Sequence, residues 1–139
     1  MSWFRRGLLA IALVIAFGIA AEIWSSWRSE RSGPFAYFYD PARPGNRPVQ
    51  AEAGIRAYLS KPRSSSEATG FLQQAGFLCH ALDRDSLANE AMRLQTTLSE
   101  GIACTYRSGR YFMYPNIFVI VVVFDITGRN TGLEIFNAF

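Results

Sequence analysis

The chain has 139 residues, half of them apolar, and a formal net charge of +3. That length allows one domain and little besides. Once Arg5, Arg6 and Glu22 are set aside, twelve basic residues remain against ten acidic ones, which is not the concentrated basic face of a nucleic-acid binder. Two cysteines 25 positions apart and a single histidine cannot supply the four ligands of a structural zinc site, and no cofactor or metal is expected.

The opening "MSWFRRGLLAIALVIAFGIAAEIWSSW" carries Arg5 and Arg6, then runs apolar from Gly7 to Ala21. At about 1.5 Å per residue, a helix over residues 4–24 covers roughly the 30 Å hydrocarbon core of a bilayer. Arginines ahead of the span are held in the cytoplasm, so the rest of the chain faces outward. Trp3, Trp24 and Trp27 stand where interfacial aromatics belong. Residues 1–24 therefore read as a membrane anchor. The alternative is a cleaved signal peptide, with small Gly18 and Ala20 before the cleavage point. Both export the remainder: the expected location is the bacterial inner membrane, single pass, with the C-terminal domain in the periplasm, or the periplasm itself after cleavage.

Residues 25–48 read as a linker, polar at "SSWRSERSG" and rich in proline at "YDPARPGNRP". The aromatic run Phe35–Tyr39 is unusual for a plain tether and suits an edge strand or a flap packed on the domain. Residues 49–139 form that domain. "VQAEAGIRAYLS" places Ala51, Ile55 and Leu59 on one helical face, and Pro62 follows. Ser64 with Glu67 three positions later is a capping-box pattern. It opens a helix whose stripe is Ala68, Phe71, Leu72 and Ala75, with Gly76 as the left-handed terminator. A third helix is expected over "DSLANEAMRLQTTLSEG", with Asp85 as N-cap, Leu87, Ala91, Leu94 and Leu98 on one face, and Gly101 as its stop.

The period then changes. "IACTYRSGRYFMY" reads as a hairpin turning at Ser108-Gly109. "IFVIVVVFD" is too short to span a membrane as a helix and is dominated by β-branched residues, so it reads as a strand buried on both faces. "ITGRNTG", begun by Asp125, turns into a last strand, "LEIFNAF". The expected fold class is α+β: two to three helices packed on an antiparallel meander of three to four strands. One helical layer covers one face of strand 117–125. The other face, with Val119 and Val121, needs the 35–60 segment, a second copy or a partner protein.

The succession "SKPRSSSEATGFLQQAGFLC", a further helix, "IACTY" and "VVVFDITGRNTGLEIF" resembles small bacterial envelope proteins. In element order over residues 60–136 it is similar to the domain of the BamE/SmpA outer-membrane assembly lipoproteins. The chain departs from those lipoproteins in having no cysteine for acylation after its apolar segment and in the extra helix between Cys79 and Cys104. The resemblance implies a scaffold or adaptor without catalysis and transfers no functional residue.

In "GFLCHALD", Cys79 stands beside His80, the one histidine. In an oxidising compartment two cysteines pair, and a Cys79–Cys104 bond would tie the helical half to the sheet. Closing a loop of that size stabilises by roughly 3 kcal/mol on the chain-entropy model. The rival is a small hydrolase or transferase using Cys79 or His80. Neighbours on an extended segment point to opposite faces, however, so the imidazole does not naturally reach the sulfur. A third possibility is a ligand- or inhibitor-type binding module using the apolar sheet face. The leading expectation is a non-enzymatic, membrane-anchored periplasmic protein that meets a protein partner or a second copy of itself. Its expected contact residues are Phe35, Tyr37, Tyr39, Val119 and Val121.

Overall fold

The computed structural model describes residues 2–29, 31–108 and 116–138. Among them the elements run α1 (Ser2–Ser29), α2 (Gly33–Tyr37), α3 (Arg47–Leu59), α4 (Ser65–Gln74), β1 (Leu78–Ala81), α5 (Arg84–Leu94), β2 (Leu98–Ser108), β3 (Asn116–Asp125) and β4 (Asn130–Ala138). The class is the expected α+β, with one antiparallel sheet in the order β1-β2-β3-β4. The membership of the sheet differs from the expectation. β2 pairs with β3 over its whole length, from Leu98↔Asp125 to Ser108↔Asn116, so its hairpin partner is the "IFVIVVVFD" strand. The expected strand 110–114 lies outside the described residues. The fourth strand is instead β1, four residues long and inserted between two helices.

α1 is apolar on all sides: Arg5–Ser25 is a 21-residue stretch of mean hydropathy 2.2, long enough to cross a bilayer. Such uniform apolarity suits a lipid environment better than the one-sided stripe of a surface helix.

The 25–48 region is more than a tether. Pro34 and Phe35 of α2 are buried, and Phe35, 1 % exposed, belongs to the main core. Its ring meets Tyr106 of β2 and Phe118 of β3 edge-on, at centroid distances of 5.6 and 6.1 Å. Phe38 lies against α3 at Gly54, where a Cβ would collide with its ring. The loop that follows is gathered by one buried amide. Gln50 accepts from the Asp40 N–H (2.8 Å) and donates to the carbonyls of Asp40, Arg43 and Gly45.

α3 begins two residues earlier than expected, with Asn46 as N-cap accepting from Val49 N–H at 3.0 Å, and its Ala51, Ile55 and Leu59 are all buried. α4 follows the sequence closely. Ser64 and Glu67 form the reciprocal capping box. Gly76, at φ +99°, supplies the left-handed residue, and Phe77 N–H reaches back to Leu72 O at 3.0 Å, the six-to-one bond of a Schellman terminator.

The third helix departs from expectation at both ends. Asp83, not Asp85, is the N-cap, accepting from Ser86 N–H at 3.2 Å. The helix stops at Gln95, which takes φ 52°, and Thr96 N–H closes on Ala91 O. The β-branched pair Thr96-Thr97 then favours extended chain, and Leu98 and Gly101 belong to β2. The apolar spacing that continued the helical stripe to Leu98 is a coincidence of two elements meeting.

The core lies on one face of the sheet. Phe118, Ile120, Val122 and Phe124 of β3, with Ile102 and Cys104 of β2, pack against Phe35, α3 and α4. Segment 35–60 thus covers the same face as α4 and leaves the opposite face untouched, contrary to one of the three coverings expected for it. Asn130 locks the layers together. It donates to Leu59 O and accepts from Arg63 N–H, both at 2.6 Å, while its own N–H bonds Arg63 O.

Candidate functional site

The cystine is formed. Cys79 and Cys104 stand directly opposite in the β1–β2 ladder, with Cα atoms 4.0 Å apart, and are joined through sulfur. The bond therefore links two strands of one sheet, not the helical half to the sheet as expected. Its local sense follows from β1 being only four residues long: an edge strand of that length gains little from its ladder alone. His80 alternates to the other face, opposite Ala103, and is exposed. With the Cys79 sulfur in the bond, no thiolate stands beside the imidazole. Among the described residues no group of three His, Cys, Asp or Glu side chains converges.

The five expected contact residues separate into three environments. Phe35 is core and offers no surface. Tyr37 and Tyr39 are 46 % and 41 % exposed on the helical side. Tyr37 leans edge-on against Phe38 and Phe71, and the Arg47 guanidinium lies 3.7 Å from the Tyr39 ring centroid, a cation–π contact. Val119 and Val121 are half-buried on the outer sheet face.

That outer face is built in rows by the strand register. The row farthest from α2 is Gly101, Val123 and Gly132, and it is roofed by α5. A Cβ on Gly101 would meet Leu82 at 2.5 Å and Leu87 at 3.3 Å, and one on Gly132 would meet Leu94 at 2.8 Å. Two residues without side chains in the middle of a sheet thus let the helix settle onto it. Arg93 ties the edge of this roof down, with Glu134 at 2.7 Å and Glu90 at 2.8 Å. Its donation to the Glu90 carboxylate raises the guanidinium above its ordinary pKa, so it stays charged. The next row is His80, Ala103, Val121 and Glu134. Then comes Leu78, Thr105, Val119 and Phe136, and last Arg107 and Ile117. Leu78 is 78 % and Phe136 53 % exposed. Period-2 alternation from Val119 places Ile117 on this face from sequence, whereas Leu78 depended on recognising β1 and Phe136 on the register of β4.

A shallow groove of about 540 Å³ separates the start of α4 from the β3–β4 turn, lined by Arg63, Ser64, Glu67, Gly128 and Arg129 among others. The carboxylates at its two edges are held by their own turns. Ser64 N–H holds the Glu67 carboxylate below its ordinary pKa, aided by the Ser64 hydroxyl. Across the groove the Thr127 hydroxyl does the same for Asp125, with the Arg129 N–H as second cause. Asp125 is thus the turn initiator expected from sequence. Arg107 is exposed within β2.

At the other end, α1 suits a membrane span or a signal segment, and a disulfide suits an oxidising compartment. Arg28 and Arg31 stack on Trp24 and Trp27, 5.4 and 3.8 Å from the ring centroids. No family model, curated protein or solved structure matches the chain.

Proposed function

We propose that the chain is a non-enzymatic protein of the bacterial cell envelope, anchored in the inner membrane by α1, with its domain in the periplasm and its work done by protein contacts. The observation that carries this reading is the direct passage of a membrane-length apolar helix into a cystine-bearing domain whose outer sheet face is covered, among the described residues, at one end only. An exposed apolar surface of this kind marks an interaction site more often than it marks chemistry. The contacts are assigned to Tyr37 and Tyr39 on the helical side and to the sheet face around Val119 and Val121. The scaffold or adaptor role implied by the BamE/SmpA-like element order agrees with this assignment and stands as part of the proposal.

The test combines topology with contact mapping in the native host. Protease added to spheroplasts should digest the domain without lysis, and carbonate washing should leave the chain in the membrane. A photo-crosslinking residue at Tyr39 or Val121 should then give one discrete adduct that the same residue at exposed Gln73 does not. A domain protected until lysis would defeat the export reading, and identical adduct patterns at all three positions would defeat the contact assignment.

A further inference from the structure

Three observations bear on what meets the uncovered end of the sheet. The first is position. α1 ends at Ser29 and α2 begins at Gly33, so a few residues at most 3.6 Å long each separate the membrane helix from the domain. That junction is fastened to β2: Ser32 Oγ and Tyr106 Oη are 2.9 Å apart, and a Cβ on Gly33 would collide with the Tyr106 ring. Tyr106 stands between Thr105 and Arg107, so the bare rows of the outer face lie at the end of the sheet nearest the anchor.

The second is depth. Ser25, the last residue of the apolar stretch, is buried, and Ala21 and Glu22 one turn earlier are half-buried. The final turn of the span is therefore less open than the turns before it, at the end where the domain begins. With 21 residues rising about 1.5 Å each, that turn is at the edge of a hydrocarbon core of about 30 Å. The third is chemistry. Leu78, Ile117 and Phe136 are apolar and exposed, and Arg107 is exposed beside them. Arg28 and Arg31, at the mouth of the span, stack on tryptophans instead of pairing with a carboxylate among the described residues. Apolar side chains with arginine and tryptophan alongside are the composition of a surface that enters the headgroup layer.

We infer that the anchor-end rim of the outer sheet face, Leu78, Ile117 and Phe136 with Arg107, rests in the headgroup and upper acyl region of the bilayer that α1 crosses. This rests on the anchored reading above and deepens it: the occupant of the rim is lipid, and protein contacts fall to the Val121 side and to Tyr37 and Tyr39. The domain is then held against the membrane in one orientation by two attachments, the helix and the rim.

The test uses the full chain, cystine intact, in vesicles of phosphatidylcholine and phosphatidylglycerol. Nitroxide labels are placed singly at Phe136→Cys and Arg107→Cys, with Ala88→Cys on the exposed side of α5 as reference. For a side chain about 5–10 Å into the interface, collision with a water-soluble nickel chelate should fall about threefold relative to Ala88, and collision with oxygen should rise. Two label sites guard against one substitution perturbing the sheet, and linked Cys79 and Cys104 peptides confirm the fold of each. Nickel access at both rim sites equal to that at Ala88, in a chain that resists carbonate, would overturn the inference alone and leave the face open to a protein. Release of the chain by carbonate would overturn the anchored reading and the inference with it.

Discussion

Truncating Phe35 to alanine tests whether α2 is structural. An aromatic side chain of this size buries about 150–250 Å², worth roughly 4–6 kcal/mol at about 25 cal/mol per Å². Alanine retains a fraction of that, and the vacated space between Tyr106 and Phe118 adds a cavity penalty, which brings the expected loss to about 4 kcal/mol. For a single domain of this size that is a large share of the total. The assay is urea unfolding of the full chain in mild detergent, followed by near-ultraviolet circular dichroism. With a slope of about 2 kcal/mol per molar urea, the midpoint should fall by about 2 M at unchanged slope. Tyr37→Ala, two positions on and half exposed, is the control and should cost well under half as much. A Phe35→Ala midpoint equal to the parent would refute the packing argument and return residues 25–48 to the status of a tether.

The other expectations concern the staple, the roof and the caps. Replacing Cys79 and Cys104 together by alanine should cost about 3 kcal/mol in the same titration, with the difference from the parent abolished by reductant; a parent insensitive to reductant would contradict it. Gly132→Ala forces a methyl against Val123 at 2.7 Å and Leu94 at 2.8 Å, so α5 should lift and stability fall by about 1–3 kcal/mol, seen as faster amide exchange in 84–94. Unchanged exchange would mean that α5 does not rest on the sheet. Glu67, Asp83 and Asp125 each hold a carboxylate pKa below its ordinary value, through bonds to Ser64, Ser86 and Thr127 respectively. A depressed native pKa adds stability above the unfolded-state value, near 4, that disappears as pH falls through the native one. The triple variant Glu67→Gln, Asp83→Asn, Asp125→Asn should therefore have a flatter acid limb below about pH 4 and a similar slope above about pH 6. A parallel acid limb would remove the caps from the account.

What was legible in the sequence was local. The α4 capping box and its glycine stop, the Asp125 turn and the length of α1 each depend on residues within a few positions of one another. The Cys79–Cys104 pair was legible from chemistry and compartment, but its partner elements were not. β1 escaped notice because four residues with an exposed leucine and histidine show no alternation strong enough to declare a strand. The end of α5 was misplaced because Leu98 extends the helical spacing by accident, and a left-handed glutamine gives no signal comparable to glycine. The role of Phe35 depends on Tyr106 and Phe118, some 70 to 80 positions away, and no local rule connects them. Coverage of the outer face hung on the pair Gly101 and Gly132, of which one was read as a helix stop and the other as part of a turn.

The place of the cystine has a consequence for how the molecule could change. α5 leaves the sheet through β1 and returns through β2, and the two strands are bonded covalently at its base. The helix itself contains no buried residue. Everything between Leu82 and Thr97 hangs on a closed clasp, and whatever replaced it would still have to seat apolar side chains over Gly101 and Gly132, as Leu82, Leu87 and Leu94 do. Its solvent-facing positions can drift while the strands on either side keep their register.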